Sequence, residues 1–160
     1  MSCDDRGSVM QSVGGDVARR PGYISPAVAR RAMLRHGLSG VQVAARADVN
    51  PSTVRNWLAG RTAPTPVKLA ELARVLDLDV RDLTGIHQDR ETLADMRIHA
   101  ALTQAEASTL VGLSQSAFST IEQGAAALSD ELCSAMSNVY GSTPEAVRAA
   151  WQRARDTLKG

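Results

Sequence analysis

Apolar residues recur at helical spacing in short blocks, each opened by a capping residue and most closed by a glycine. Ser25-Pro26 opens a block that runs to His36, and Gly37 closes it. A cap residue followed by proline at the first helical position suits a helix start, where the missing N–H has no partner to lose. Ser39-Gly40-Val41-Gln42 has the form of a capping box, in which two side chains satisfy each other's backbone donors. Asn50-Pro51 opens a block through Ala59, ended by Gly60, and Thr65-Pro66 opens another. In that last block Val67, Leu69, Ala70, Leu72, Ala73 and Leu76 mark the buried side, and Asp79 to Leu83 forms a final turn before Gly85. No segment alternates apolar and polar residues at period two. The pattern predicts five short helices within about 60 residues and an all-α fold.

The pattern then repeats. With a shift of 64 positions, Leu38–Leu83 overlays Leu102–Val147 without a gap. Identities are few, among them Leu38/Leu102, Ser52/Ser116, Gly60/Gly124 and Val75/Val139, but the punctuation stays in phase. Ser39…Gln42 becomes Thr103…Glu106, a second capping box, while Asn50 becomes Ser114 and Thr65 becomes Ser129. Inward positions correspond as well: Val49/Leu113, Val54/Phe118, Trp57/Ile121, Leu69/Cys133 and Leu72/Met136. The chain therefore reads as an internal duplication: a flexible arm over 1–22, a first unit over 23–86 and a second over 87–160. The second unit differs at its end. There the helix opened by Thr143-Pro144 can run to Lys159, with Val147, Trp151, Ala154 and Leu158 on one stripe.

Each unit contains a helix beginning at the capping box, a short turn, and a helix beginning at the next cap. For a helix to enter a major groove about 12 Å wide, its outward residues must be small or polar and its inward ones must lock it in place. The outward candidates are Ser52, Thr53, Arg55 and Asn56 in the first unit, and Gln115, Ser116, Ser119 and Thr120 in the second. Leu102-Thr103-Gln104…Gly112-Leu113-Ser114-Gln115-Ser116…Ile121-Glu122-Gln123-Gly124 resembles the lambdoid-phage repressor/Cro family, the Xre-type helix-turn-helix. Residues 49–60 resemble the same motif, so the likeness covers about residues 28–147 in two tandem copies. The resemblance implies five-helix bundles that bind duplex DNA, usually as a homodimer on a palindromic operator, and most often to repress a promoter.

The resemblance also implies roles for single residues. A glutamine pair at the starts of two helices would correspond to Gln104 and Gln115, able to read adenine. The first unit has Gly40 and Pro51 there, which leaves Arg55, with Asn56, as its base reader, toward guanine. Arg61 matches a phosphate-contacting loop position, and Ser39 and Thr62 join it as phosphate candidates. A buried ion pair of the family matches Arg97 and Glu122, where the first unit has Met33 and Leu58, a joint replacement that strands no charge.

Composition changes the picture in one respect. The formal net charge is only +1, which by itself is poor encouragement for a nucleic-acid partner. Divided along the chain, residues 19–76 hold ten basic residues against two acidic, a net +8. Residues 77–147 hold three against eleven, a net −8, and 148–160 hold four against one. The first unit is thus the expected DNA reader, because phosphate neutralisation dominates duplex affinity. The acidic second unit could read DNA too, or serve as a protein-interaction module for dimerisation or for an antitoxin-like or sequestering partner, with Trp151 as the interface candidate.

Other chemistry is sparse. Aromatic residues make up 3%, too few for a base-stacking platform. Cys3 and Cys133 have no metal-ligand spacing, and His36, His87 and His99 form no ligand pair; His36 and His99 read as exposed helix residues. No nucleophile–base pattern or phosphate-cradling loop stands out, so neither an enzyme nor a cofactor or small-molecule ligand is expected. With no membrane-length apolar run and no signal-peptide pattern at Met1-Ser2-Cys3-Asp4-Asp5, a cytoplasmic location is expected.

Overall fold

A computed structural model describes residues 20–160, so the reading of 1–19 as an arm lies outside the described residues. The described chain is helical and holds no strand. The first five helices are α1 (Pro26–His36), α2 (Gly40–Arg46), α3 (Pro51–Leu58), α4 (Pro66–Val75) and α5 (Val80–Thr84). The second five are α6 (Leu93–His99), α7 (Gln104–Leu110), α8 (Gln115–Glu122), α9 (Asp130–Tyr140) and α10 (Pro144–Lys159). Each starts on a side-chain cap: Ser25, Ser39, Asn50, Thr65 and Asp79, then Thr92, Thr103, Ser114, Ser129 and Thr143. Both expected capping boxes are formed, and Thr92 with Asp95 makes a third.

The duplication extends to the backbone. Left-handed residues fall at Gly37, Asp48, Gly60 and Asp77 in the first unit and at Ala101, Gly112, Gly124 and Gly141 in the second. These are four pairs at the same shift of 64. Side-chain types are not preserved, since Gly37 becomes Ala101 while Asp48 and Asp77 become glycines. What the two units share is the turn geometry, which fixes how each helix leaves the previous one.

Each unit has its own core. The first is built from Ala29, Ala32, Val43, Val54, Trp57, Leu69, Leu72, Leu76 and Leu83 among others, with Met33 and Leu58 half-buried against it. The second centres on Leu93, Met96, Ala107, Phe118, Ile121, Cys133, Met136 and Val147. Burial raises the Cys133 thiol pKa and so disfavours its reactive thiolate. Two inward assignments do not hold. Val67 stands on the solvent side of α4, and Leu158 lies beyond the point where α10 leaves the core, so both are exposed.

The units are joined by more than their short connection. Ile98 on α6 belongs to the core of the first unit and packs on Gly22, 3.7 Å from the site of an added Cβ. Gly22 is buried there and Arg20 lies over the Tyr23 ring at 4.8 Å, so the end of the expected arm, 20–22, is part of the packed structure. Beside Ile98 is a buried polar cluster. Arg81 Nε donates to Glu91 Oε1 at 3.0 Å, and His99 Nδ1 lies 2.7 Å from Glu91 Oε2. His99 Nε2 lies 2.8 Å from the Thr84 hydroxyl, and Arg153 on α10 donates to the Glu91 carbonyl at 2.7 Å. A carboxylate only accepts, so Nδ1 carries the proton toward Glu91. His99 is therefore not the exposed helix residue its position suggested, because its side chain is 3% exposed, whereas His36 is exposed. Burial alone would raise the Glu91 pKa, but the hydrogen bonds from His99 and Arg81 outweigh it and hold the carboxyl below its ordinary range.

Candidate nucleic-acid interface

In the first unit α2 packs against α3, and Val54 and Trp57 anchor α3 from beneath. That leaves Ser52 and Arg55 exposed, with Thr53 and Asn56 half-buried beside them. Asn50 shapes the start of this face by accepting from the Ser52 backbone N–H at 3.1 Å and from its hydroxyl at 3.0 Å. At the other end Arg61 donates to Asn56 Oδ1 at 3.3 Å, which draws the loop cation onto α3. Arg55 has no intramolecular polar partner among the described residues, so its guanidinium is free to meet a ligand. Ser39 and Thr62 are exposed, but the Ser39 backbone N–H already donates to Gln42 Oε1 at 2.8 Å. The Ser39 Oγ in turn accepts from the Gln42 backbone N–H at 3.2 Å, so its hydroxyl closes the cap and keeps only its own proton to donate.

The second unit presents the same helix pair, α7 on α8, with Phe118 and Ile121 inward. Gln115, Ser116 and Thr120 are exposed and Ser119 is half-buried. Gln104 is half-buried, and its amide donates to Glu122 Oε1 at 3.0 Å and to Ser119 Oγ at 3.4 Å, which ties it to the end of α8. Glu122 is also held by Arg97, through Nε at 2.7 Å and Nη2 at 3.3 Å, while Arg97 Nη1 donates to the Leu102 carbonyl at 2.9 Å. The only acid on α8 is therefore buried and paired, leaving an uncharged outward face. Glu91 and Asp95 are buried too, so part of the −8 of this region never reaches the surface.

The C-terminal helix closes over the loop after α8. Trp151 Nε1 donates to the Ala126 carbonyl at 3.1 Å and its ring packs on the second core, which makes it half-buried within its own unit. Arg148 donates to the Leu128 carbonyl and to Asp130, and Arg155 donates to the Gly124 carbonyl at 3.3 Å. Position alone could not reveal this clamp, because the first unit has no counterpart of α10 beyond Thr84.

Two tandem bundles, each offering a polar-faced helix locked on a capped partner helix, define a helix-turn-helix DNA-binding protein. A helix-turn-helix family profile matches residues 30–83 and a helix-turn-helix domain profile matches residues 90–151, between them most of the chain. The chain belongs to the Xre-type helix-turn-helix family, with two units in tandem, and is a DNA-binding regulator. Neither the curated proteins nor the solved structures gave a match. Among the described residues no helix is long and apolar enough to cross a membrane.

Proposed function

We propose that the protein is a cytoplasmic, non-enzymatic transcriptional repressor that binds a specific duplex operator as a homodimer and reads it chiefly with α3. One observation carries this reading. Arg55 projects from α3 with no polar partner among the described residues, next to Ser52 and ahead of Arg61, in the segment whose net charge is +8. Arginine can bond guanine O6 and N7 at once, and the surrounding cations supply the sequence-independent attraction that phosphates provide. α8 offers a neutral hydrogen-bonding face of Gln115, Ser116 and Thr120, suited to base edges, so the second unit meets the same duplex.

Selection of tight-binding duplexes from a random library with the full chain tests this. A defined, palindromic sequence whose affinity falls steeply with salt is expected, together with reduced transcription from a promoter that contains it. Binding without sequence preference, or no duplex binding at all, would favour a protein-interaction module.

A further inference from the structure

Residues 98–147, which contain the second helix-turn-helix, hold no lysine or arginine, and Ala125 stands where the first unit has Arg61. Any cation the second unit offers to a phosphate must come from outside that segment. The nearby arginines are mostly engaged: Arg97 is buried on Glu122, Arg148 is paired with Asp130, and Arg153 bonds the Glu91 carbonyl. Arg155 differs. Its guanidinium lies over the Trp151 ring, 5.2 Å from the centroid, and donates through Nη1 to the Gly124 carbonyl, with no acidic partner among the described residues.

The place is built for it. Gly124 follows Gln123, the C-cap of α8, and α10 approaches so closely that a Cβ on Gly124 would fall 2.5 Å from the Arg155 backbone nitrogen. Only glycine fits there, and the fit sets Arg155 at the end of α8. Arg61 stands at the corresponding end of α3, bonded to Asn56. Arg61 and Arg155 thus set a guanidinium just past the same end of the outward helix, delivered by the loop in the first unit and by the C-terminal helix in the second, beside Arg30 on the Leu58 carbonyl and Arg97 on Glu122. A guanidinium on an indole face retains its charge, and one bond to a carbonyl leaves most of its N–H donors available.

We infer that Arg155 is the backbone-phosphate contact of the second unit, the counterpart of Arg61 brought in by α10. The inference rests on the reading that α8 lies against the duplex.

The test uses the full chain, a duplex recovered by selection, and a random duplex of equal length. Affinities are read by fluorescence anisotropy across salt concentrations for the unaltered protein, Arg155→Gln, Arg155→Lys and Arg61→Gln, with circular dichroism confirming the fold of each. Arg155→Gln should weaken both duplexes alike and make the salt slope shallower by about one, while Arg155→Lys keeps the slope. An unchanged slope for Arg155→Gln, or equal slope loss in Gln and Lys, would overturn the assignment. If Arg61→Gln lowers the slope and Arg155→Gln does not, this inference fails and the DNA reading stands. If the unaltered chain shows no salt-dependent duplex binding, both fail. Should Arg155→Gln not fold, phosphate-ethylation interference with the unaltered chain decides, and blocked phosphates beside α3 alone would overturn the assignment.

Discussion

Arg97 and Glu122 meet through two hydrogen bonds, 2.7 and 3.3 Å, at the site where the first unit has Met33 and Leu58 packed on its core. The same joint between the first helix and the end of the outward helix is thus ionic in one unit and apolar in the other. Gln104 adds a third donor to Glu122, so the carboxylate is well satisfied although almost fully buried.

Removing one partner leaves a buried charge, and removing both does not. Glu122→Leu alone should destabilise the protein by about 3–5 kcal/mol. The double change Arg97→Met with Glu122→Leu, which installs the first unit's solution, should cost clearly less than either single change. Denaturant unfolding of the three variants checks this, and a double mutant as unstable as the worse single would refute it.

The pH dependence follows from Glu91. Its folded-state pKa is held below the ordinary value of 4.5 by His99 and Arg81, despite burial. A carboxyl depressed on folding contributes stability that is fully present above its unfolded pKa and is lost as pH falls through the lower folded value. The stability gap between the unaltered chain and Glu91→Gln should therefore be constant above about pH 5 and shrink below it. Thermal melts from pH 7 down to pH 3 measure the gap, and one that widens on acidification contradicts the assignment.

The helices and the duplication were legible because they are written in local chemistry. Ser39, Asn50, Thr65, Thr103, Ser114 and Ser129 each cap the helix their position announces, since a cap needs only the next few backbone N–H groups. The Arg97–Glu122 pair was legible through family resemblance. His99 was not, because its burial depends on Thr84 and Glu91 meeting it across the junction, a contact between elements that no local pattern encodes. Ile98 escaped for the same reason: it faces the other unit's core. Gln104 has the residue type of a base reader, and no local pattern shows that its amide also reaches the buried Glu122 carboxylate.

Gly60 and Gly124 separate backbone conformation from close packing. Both have positive φ, 72° and 81°, but only Gly124 has α10 against it. Gly60→Ala should cost about 1–2 kcal/mol, the penalty of a left-handed alanine. Gly124→Ala carries that cost and must also displace α10, adding about 1–3 kcal/mol of overpacking. Denaturant titrations of the two variants give the comparison, and equal losses would show that α10 yields freely at Gly124.

Arg55 distinguishes base reading from general attraction. A guanidinium that bonds guanine in the major groove contributes discrimination at one position, so Arg55→Ala should lose about 1–3 kcal/mol of preference at a single base pair of the selected operator. Affinity for random duplex should fall much less, because sequence-independent binding depends on summed phosphate contacts, the role proposed for Arg61 and its neighbours. Binding to a panel of operators, each changed at one base pair, locates the position, since the variant should become indifferent to the base there while remaining selective elsewhere. Uniform weakening across the panel and on random DNA would instead place Arg55 on the backbone, and Asn56 with Ser52 would then be left to read the sequence.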